Sequence, residues 1–373
     1  RLGLSAVATV PTTDGRQGIG VGPGDTDLTV NPGVVKYMNL YPQPNGRDFG
    51  DGTGEYLSSP SRVLDEDYLV IRYDHIVSDA DSFFVRYTCS CSGLRTSPST
   101  IGIYNGFNES RRQYVTIEEK HIFSPSALNT FRFGLNRSYD SGTDEVADAS
   151  LELIPGTNRF LLNFSAQVTG GSASLSSLGP GGFGQFAWNS FQFGDDFHYT
   201  KGRHSIRVGV ALDRINHNFT NASFYGGRYS FNDFPSFVVG KARTFQGYLP
   251  GSNIFRGMRS TLIGFYVQDD FRWNSRLTLN LGLRFEMMTE PSEVNGVQSQ
   301  LKNVLDPDVT IGAPYFERPD AVIHPRIGLA WDLMGDGKTS LRIGAGMFND
   351  TLAGSFWVNS AVNSRPFNVV GTQ

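Results

Sequence analysis

The sequence predicts an all-β protein: an antiparallel up-and-down transmembrane β-barrel, present in part, with about 10–12 strands, short periplasmic turns and long extracellular loops. Three observations carry this expectation. Strand-length segments alternate apolar and polar residues with a period of two, the mark of a strand with unlike faces. The composition holds 28 Phe and 43 Gly yet is only 39 % hydrophobic, which suits a wall with one lipid face and one watery face. Short polar turns alternate with connections of roughly twenty to fifty residues, longer than compact soluble domains use. A sandwich or a propeller would space its strands more evenly.

Residues 1–60 (with GIGVGPGDTD and YPQPNGRDFGDGTG) are rich in Gly, Pro, Asp and Thr and read as an irregular segment leading into the barrel, with a short helix around 34–40. Residues 61–373 read as the barrel segment. Its first hairpin has arms 67–76 and 82–88 around Ser78-Asp79-Ala80-Asp81, followed by a polar stretch to Arg111. The second pairs 113–123 with 127–137 across Ser124-Pro125-Ser126. After a Gly- and Ser-rich region at 138–184, the third pairs 185–200 with 205–213 around Lys201-Gly202-Arg203-His204. Residues 214–260 form another long region.

The fourth hairpin, 261–286, is the best patterned. Leu277, Leu279, Leu281, Leu283 and Phe285 fall on one face, and Thr278, Asn280, Gly282, Arg284 and Glu286 on the other. The preceding arm repeats the pattern, broken at Asp269, and Phe271 and Trp273 stand beside the Asn274-Ser275-Arg276 turn as an interfacial girdle would. A loop at 287–320 leads to the fifth hairpin, 322–333 with 339–348, whose turn carries the Asp336-Gly337 signal.

The polar face defines the wall's inner side. Arg86, Arg132, Arg207, Arg284, Arg326 and Arg342, with Asp270 and Glu286, fall opposite the apolar stripe. A lipid-facing Arg near the bilayer midplane costs roughly 2–4 kcal/mol, so these residues are expected to face the lumen. There they can pair with carboxylates such as Asp213, Asp270, Glu286 and Asp332. Ligand contact is expected from loop aromatics: Tyr225, Tyr229, Phe231, Phe234 and Tyr248, with Phe224 and Phe255 beside them.

Other chemistries find little support. The net charge of -4 and the lack of basic blocks argue against nucleic acid as a partner. The chain has no apolar run of about 18 residues, so no helix is expected to span a membrane. It opens RLGLSAVATV, without Met or a basic leader, and reads as an internal piece of a longer precursor. Gly335-Asp336-Gly337-Lys338-Thr339 imitates the end of a P-loop, but Asp332 stands where the motif needs Gly and a strand follows, so a hairpin turn is the better reading. GPGGFG at 179–184 lacks the strand and helix of a dinucleotide site.

The histidines (His75, His121, His198, His204, His217, His324) show no paired ligand spacing. Asp65-Glu66-Asp67 and Asp25-Thr26-Asp27 read as solvated loop charge, with Ca²⁺ binding the alternative. Cys89 and Cys91 share a strand face and read as small half-buried residues, with a metal pair or a loop disulfide the alternatives; their spacing in an extended strand disfavours a mutual bond. Neither GxSxG nor HExxH occurs, so no enzyme, no metal site and no cofactor is expected.

FYVQDDFRWNSRLTLNLGLRFE, HPRIGLAWDLMGDGKTSLRIGAGMF, YLVIRYDHIVSDADSFFVRYT and MNLYPQPNG resemble segments of TonB-dependent outer-membrane receptors of the Oar-like subgroup, over roughly Val34 to Asp350. The resemblance implies a bacterial outer-membrane protein with a barrel of about 22 strands and a plugged lumen. It further implies a TonB box coupling to the inner membrane and, in the Oar-like branch, a carboxypeptidase-regulatory-like domain before the plug. This sequence shows no plug, no TonB box and too few strands, the C-terminal ones among those missing. The function so implied is binding and import of a scarce nutrient of the siderophore, glycan or peptide class. Its partners would be the lipid bilayer, the plug, the TonB complex and an extracellular ligand. The alternatives are an adhesion or surface-binding protein without transport, or a secreted soluble glycan-binding protein.

Overall fold

The computed structural model describes residues 6–97, 100–148, 175–178, 183–222, 227–316, 321–350, 354–362 and 364–372. A first group of elements comprises β1 (Ala6–Pro11), α1 (Thr13–Arg16), α2 (Pro32–Met38) and β2 (Thr53–Ser58). Long strands follow: β3 (Ser61–Ile76), β4 (Asp81–Ser97), β5 (Tyr104–Ser124), β6 (Ala127–Val146), β7 (Phe183–Lys201) and β8 (His204–Ala222). Next come β9 (Arg228–Ser230), α3 (Phe234–Val238) and β10 (Thr244–Tyr248), and then β11 (Phe255–Arg272) and β12 (Leu277–Met288). Three short pieces, β13 (Ser292–Glu293), β14 (Ser299–Gln300) and β15 (Thr310–Ile311), precede β16 (Val322–Asp332) and β17 (Ser340–Gly346). The chain closes with α4 (Gly354–Val362) and β18 (Val370–Thr372).

The long strands form one antiparallel meander in the order β17-β16-β12-β11-β8-β7-β6-β5-β4-β3, with β13 added beside β11. Neighbours in the sheet are successive long strands of the chain, the up-and-down arrangement expected. The sheet is open, and β3 and β17 are its edges among the described residues. No described helix is long and apolar enough to cross a membrane.

All five short turns lie at one end of the sheet. They follow β3, β5, β7, β11 and β16, at 77–80, 125–126, 202–203, 273–276 and 333–339. Turn chemistry explains the last of them. Gly335 and Gly337 take positive φ (77° and 72°), and both donate their N–H to the Asp332 carboxylate at 2.9 Å.

Register assigns every strand residue to a face, because direct partners share a side and alternate residues return to it. Phe131, Asp195, Val210, Phe265 and Phe285 form one row across the outer face. Val208, Val267 and Leu283 form the next. Phe265 is 52 % exposed, Leu283 47 % and Ile343 57 %, and no second sheet covers them among the described residues. An exposed apolar belt on paired strands is a lipid-facing surface, not half of a sandwich.

The strands outrun the alternating segments that reveal them. The polar stretch to Arg111 was expected to be a long loop; instead β4 and β5 pair beyond the apolar belt, Arg95 opposite Phe107 and Thr96 opposite Gly106, leaving a connection at 98–103. Above the bilayer both faces meet water, so the ladder continues after the alternation fades. β8 likewise runs to Ala222, and β11 begins at Phe255.

Residues 6–58 are more ordered than a Gly- and Pro-rich segment suggests. β1 pairs with β2 along their whole length. Thr12 caps α1 and Asn31 caps α2, where Pro32 supplies the pre-set first turn. Val10, Val21, Met38 and Tyr41 join Ile101, Leu178 and the α3 residues Phe234, Phe237 and Val238 in one core at the loop end of the sheet. The Arg16 guanidinium ties this layer together by donating to the carbonyls of Pro11, Met38, Tyr41 and Pro42, the last at 2.6 Å. Burial lowers its pKa, and raises that of the Tyr41 phenol, which donates to the Ser176 carbonyl at 2.7 Å.

Candidate functional site

The inner face is built from the same registers. Glu118, Arg132, Gly194, Ala211, Gly264 and Glu286 stand in one row across β5, β6, β7, β8, β11 and β12. Arg284 lies in the neighbouring row with Tyr266 and Gly209, and Arg326 and Arg207 in the next, joined through Gly282 and Gln268. Asp270 and Asn280 follow toward the turns, and Arg342 opposite Ala330 lies beyond. Arg86, opposite Arg72 and Thr116, occupies the same face. The sheet therefore brings all eight wall residues singled out by pattern to its inner side.

Their partners are partly those expected. Arg132 bridges Glu118 and Asp196, each at 2.7 Å, and Tyr266 donates its hydroxyl to Asp196 at 2.5 Å. Arg284 pairs with Glu286 at 2.7 Å. The other carboxylates serve differently: Asp213 accepts from Ser190 and Gln192, Asp270 from Gln268 and Asn280, and Asp332 from the turn amides. Arg326 lies over the Phe348 ring at 4.7 Å, while Arg86, Arg207 and Arg342 form no ion pair among the described residues. The Arg132 side chain is half exposed, so its ion pairs are solvated and individually weak.

Small residues hollow the wall beside this network. Gly134, Gly194, Ala211 and Gly264 floor a groove of about 390 Å³ rimmed by Arg132, Gln192, Asp213 and Arg284. Nearer the loops, a second hollow of about 480 Å³ is lined by Asn108, Ser110, Asp140 and Asp144. Gly209 has a specific task. A Cβ there would come within 2.3 Å of the Tyr266 ring and 2.5 Å of the Asp196 carboxylate. Gly209→Ala is therefore expected to displace Tyr266 and break its bond to Asp196, costing about 1–3 kcal/mol in denaturant unfolding.

At the loop end α4 lies against the inner face. Trp357 is fully buried, 5.7 Å from the Trp188 ring, with His217, Phe219 and Met258 beneath it. Arg256, also fully buried, donates to the Ala361 carbonyl at 2.9 Å and to those of Asn253 and Phe255. This anchor went unmarked in the sequence, where Arg256 lies outside any alternating stretch and α4 shows no amphipathic period. Its one signal is the large aromatic Trp357 among small apolar and polar residues.

The loop aromatics separate. Tyr225 and Phe224 lie outside the described residues. Tyr229 and Phe231 line a groove of about 340 Å³ with Lys36, Tyr37 and Phe237. Phe231 and Phe234 do not fit the ligand role expected of them: they are 6 % and 1 % exposed and packed in the loop-layer core, so their rings offer no open face to a ligand. Tyr248 is half-buried on β10 and donates to the Asn221 carbonyl. Phe255 starts β11 and is exposed. Cys89 and Cys91 are free thiols, their sulfurs 3.5 Å apart on the outer face.

The outer membrane beta barrel domain family matches residues 4–373. No curated protein matches the chain. Among solved structures it is similar to the outer membrane transporter YddB from Escherichia coli, at 12 % identity and a TM-score of 0.47, covering 81 % of this chain and 34 % of that one. It is similar also to BauA, the ferric preacinetobactin receptor from Acinetobacter baumannii, at 13 % identity and a TM-score of 0.39, over 75 % of this chain and 40 % of that one. FpvA from P. aeruginosa, solved with a heterologous pyoverdine and iron, gives 13 % identity and a TM-score of 0.41, over 78 % of this chain and 37 % of that one. The chain thus spans well under half the length of these structures, and likenesses this distant carry no functional argument. The family match is of another kind: it runs through every strand of the sheet, and by it the chain belongs to the outer membrane beta barrel domain family of the bacterial outer membrane.

Proposed function

We propose that the chain is the barrel portion of a TonB-dependent receptor of the Oar-like kind, which binds a scarce nutrient and carries it across the outer membrane. The nutrient is of the siderophore, glycan or peptide class. The observation that carries the reading is the inner wall. Glu118, Arg132, Asp196 and Tyr266 form a solvated polar lattice where a closed structural barrel would hold packed apolar side chains. Arg86, Arg207 and Arg342 remain available to acidic groups of a plug. A loop groove beside Tyr37 and Tyr229 offers aromatic faces to an incoming ligand. No catalytic step is assigned to the chain; its work is binding and passage.

The test is uptake by a strain lacking the whole gene, given labelled candidates from each class. Loss of accumulation, restored by the full-length gene and abolished when TonB is removed, is the expected result. Surface binding that persists without TonB-dependent accumulation would replace import with adhesion.

A further inference from the structure

The outer face carries a polar cluster that neither lipid contact nor transport requires. Asp81 on β4 and His121 on β5 are direct cross-strand partners, and Glu119 lies two residues from His121 on the same face. One ligand atom from each of Asp81, Glu119 and His121 can be chosen so that all lie within 4.8 Å of one another. His121 Nδ1 and Asp81 Oδ1 are 2.5 Å apart.

The surroundings fix two of these groups and leave the third without a partner. The second oxygen of Asp81 accepts from the Ser78 hydroxyl at 2.8 Å, which ties the carboxylate to the turn. The His121 ring meets Phe123 edge-on at 4.3 Å, which holds its plane. Glu119 stands between Phe83 and Phe131 in its row and makes no hydrogen bond or ion pair among the described residues. Neighbouring Asp195 is occupied by the Asn129 amide at 2.6 Å. Two half-buried carboxylates thus stand beside one imidazole, with the Asn129–Asp195 pair next to them and no Lys or Arg ion pair among the described residues there. Leaving such charge uncompensated beside lipid is unfavourable, and a bound cation removes the penalty.

We propose that Asp81, Glu119 and His121 form a divalent transition-metal site at the short-turn rim of the outer face. One imidazole nitrogen with two carboxylate oxygens suits Zn²⁺, leaving a fourth position open to interfacial water. Coordination would replace the hydrogen bond between His121 Nδ1 and Asp81 Oδ1, which moves the two atoms apart, and would draw the Glu119 carboxylate toward both. The ion would cross-link β4 to β5 beside the 77–80 turn, where the ladder otherwise ends.

The experiment uses the full-length receptor, extracted in detergent from chelator-washed membranes and titrated calorimetrically with Zn²⁺. One ion per chain is expected, together with a rise in the thermal midpoint. Glu119→Gln and His121→Gln keep shape and remove one ligand each, and each should weaken binding by more than about tenfold, since even outer-shell losses reach that size. His204→Gln, which alters the separate His204–Asp269 pair, should leave the titration unchanged. Absence of binding to the unaltered receptor, or an affinity in either ligand variant equal to that of the unaltered receptor, would overturn the proposal. A folded variant is identified by its unchanged midpoint in chelator, so misfolding is not mistaken for ligand loss.

Discussion

Val267→Arg is expected to destabilise the folded protein in lipid by about 2–4 kcal/mol, the penalty for arginine near the bilayer midplane. Val267 lies on the outer face between Val208 and Leu283, and is 45 % exposed with apolar neighbours in its row. No carboxylate stands opposite to receive the new charge. Asn280→Arg is the matched control. Asn280 faces inward and donates to Asp270 at 2.7 Å, so an arginine there meets a carboxylate and water. Its effect should stay below about 1 kcal/mol. Denaturant unfolding of the full-length protein in vesicles measures both, and equal penalties would remove the distinction between the faces.

Trp357→Ala should have an effect as large but confined to one region. Removing a fully buried indole costs about 3–5 kcal/mol where the cavity cannot collapse. Here the loss falls on α4, which the indole holds against Trp188 and His217. The β8–β11 ladder beneath is paired independently of the helix, from Phe255 opposite Thr220 to Phe271 opposite His204. Hydrogen exchange should therefore accelerate in 354–372 while β8 and β11 keep their protection. Uniform loss of protection across those strands would show that α4 supports the wall itself.

The hairpins were legible because lipid contact imposes a strict rule. Where one face meets hydrocarbon and the other water, residues such as Leu277–Phe285 alternate without exception, and the inner placement of Arg132, Arg207 and Arg284 follows from the same rule. Beyond the bilayer that pressure vanishes. Residues 89–97 and 104–112 are paired strand although polar side chains occupy both faces beside the few apolar ones, so periodicity could not separate them from loop. The loop layer was hidden for a different reason. Its core draws Val10, Met38, Leu178 and Phe234 from distant parts of the chain, and long-range packing of that kind leaves no local signature. Phe234 illustrates the consequence: an aromatic in a Gly-rich stretch looks available to a ligand until its burial is known. Asp81 and Asp269 interrupt the apolar face near the turns, but their pairing with histidine across strands depends on a register that pattern alone does not set.

This sheet separates lipid from water. Spin labels placed singly along β12, from Leu277 to Met288 of the full-length protein in vesicles, test it directly through collisions with oxygen and with a water-soluble nickel chelate. Labels at Leu279, Leu281, Leu283 and Phe285 should be accessible to oxygen and shielded from nickel, while those at Thr278, Asn280, Gly282 and Arg284 should not share that lipid signature. Shielding of the leucine positions from both reagents would mean that a second layer of protein covers them, and the membrane wall would have to be abandoned.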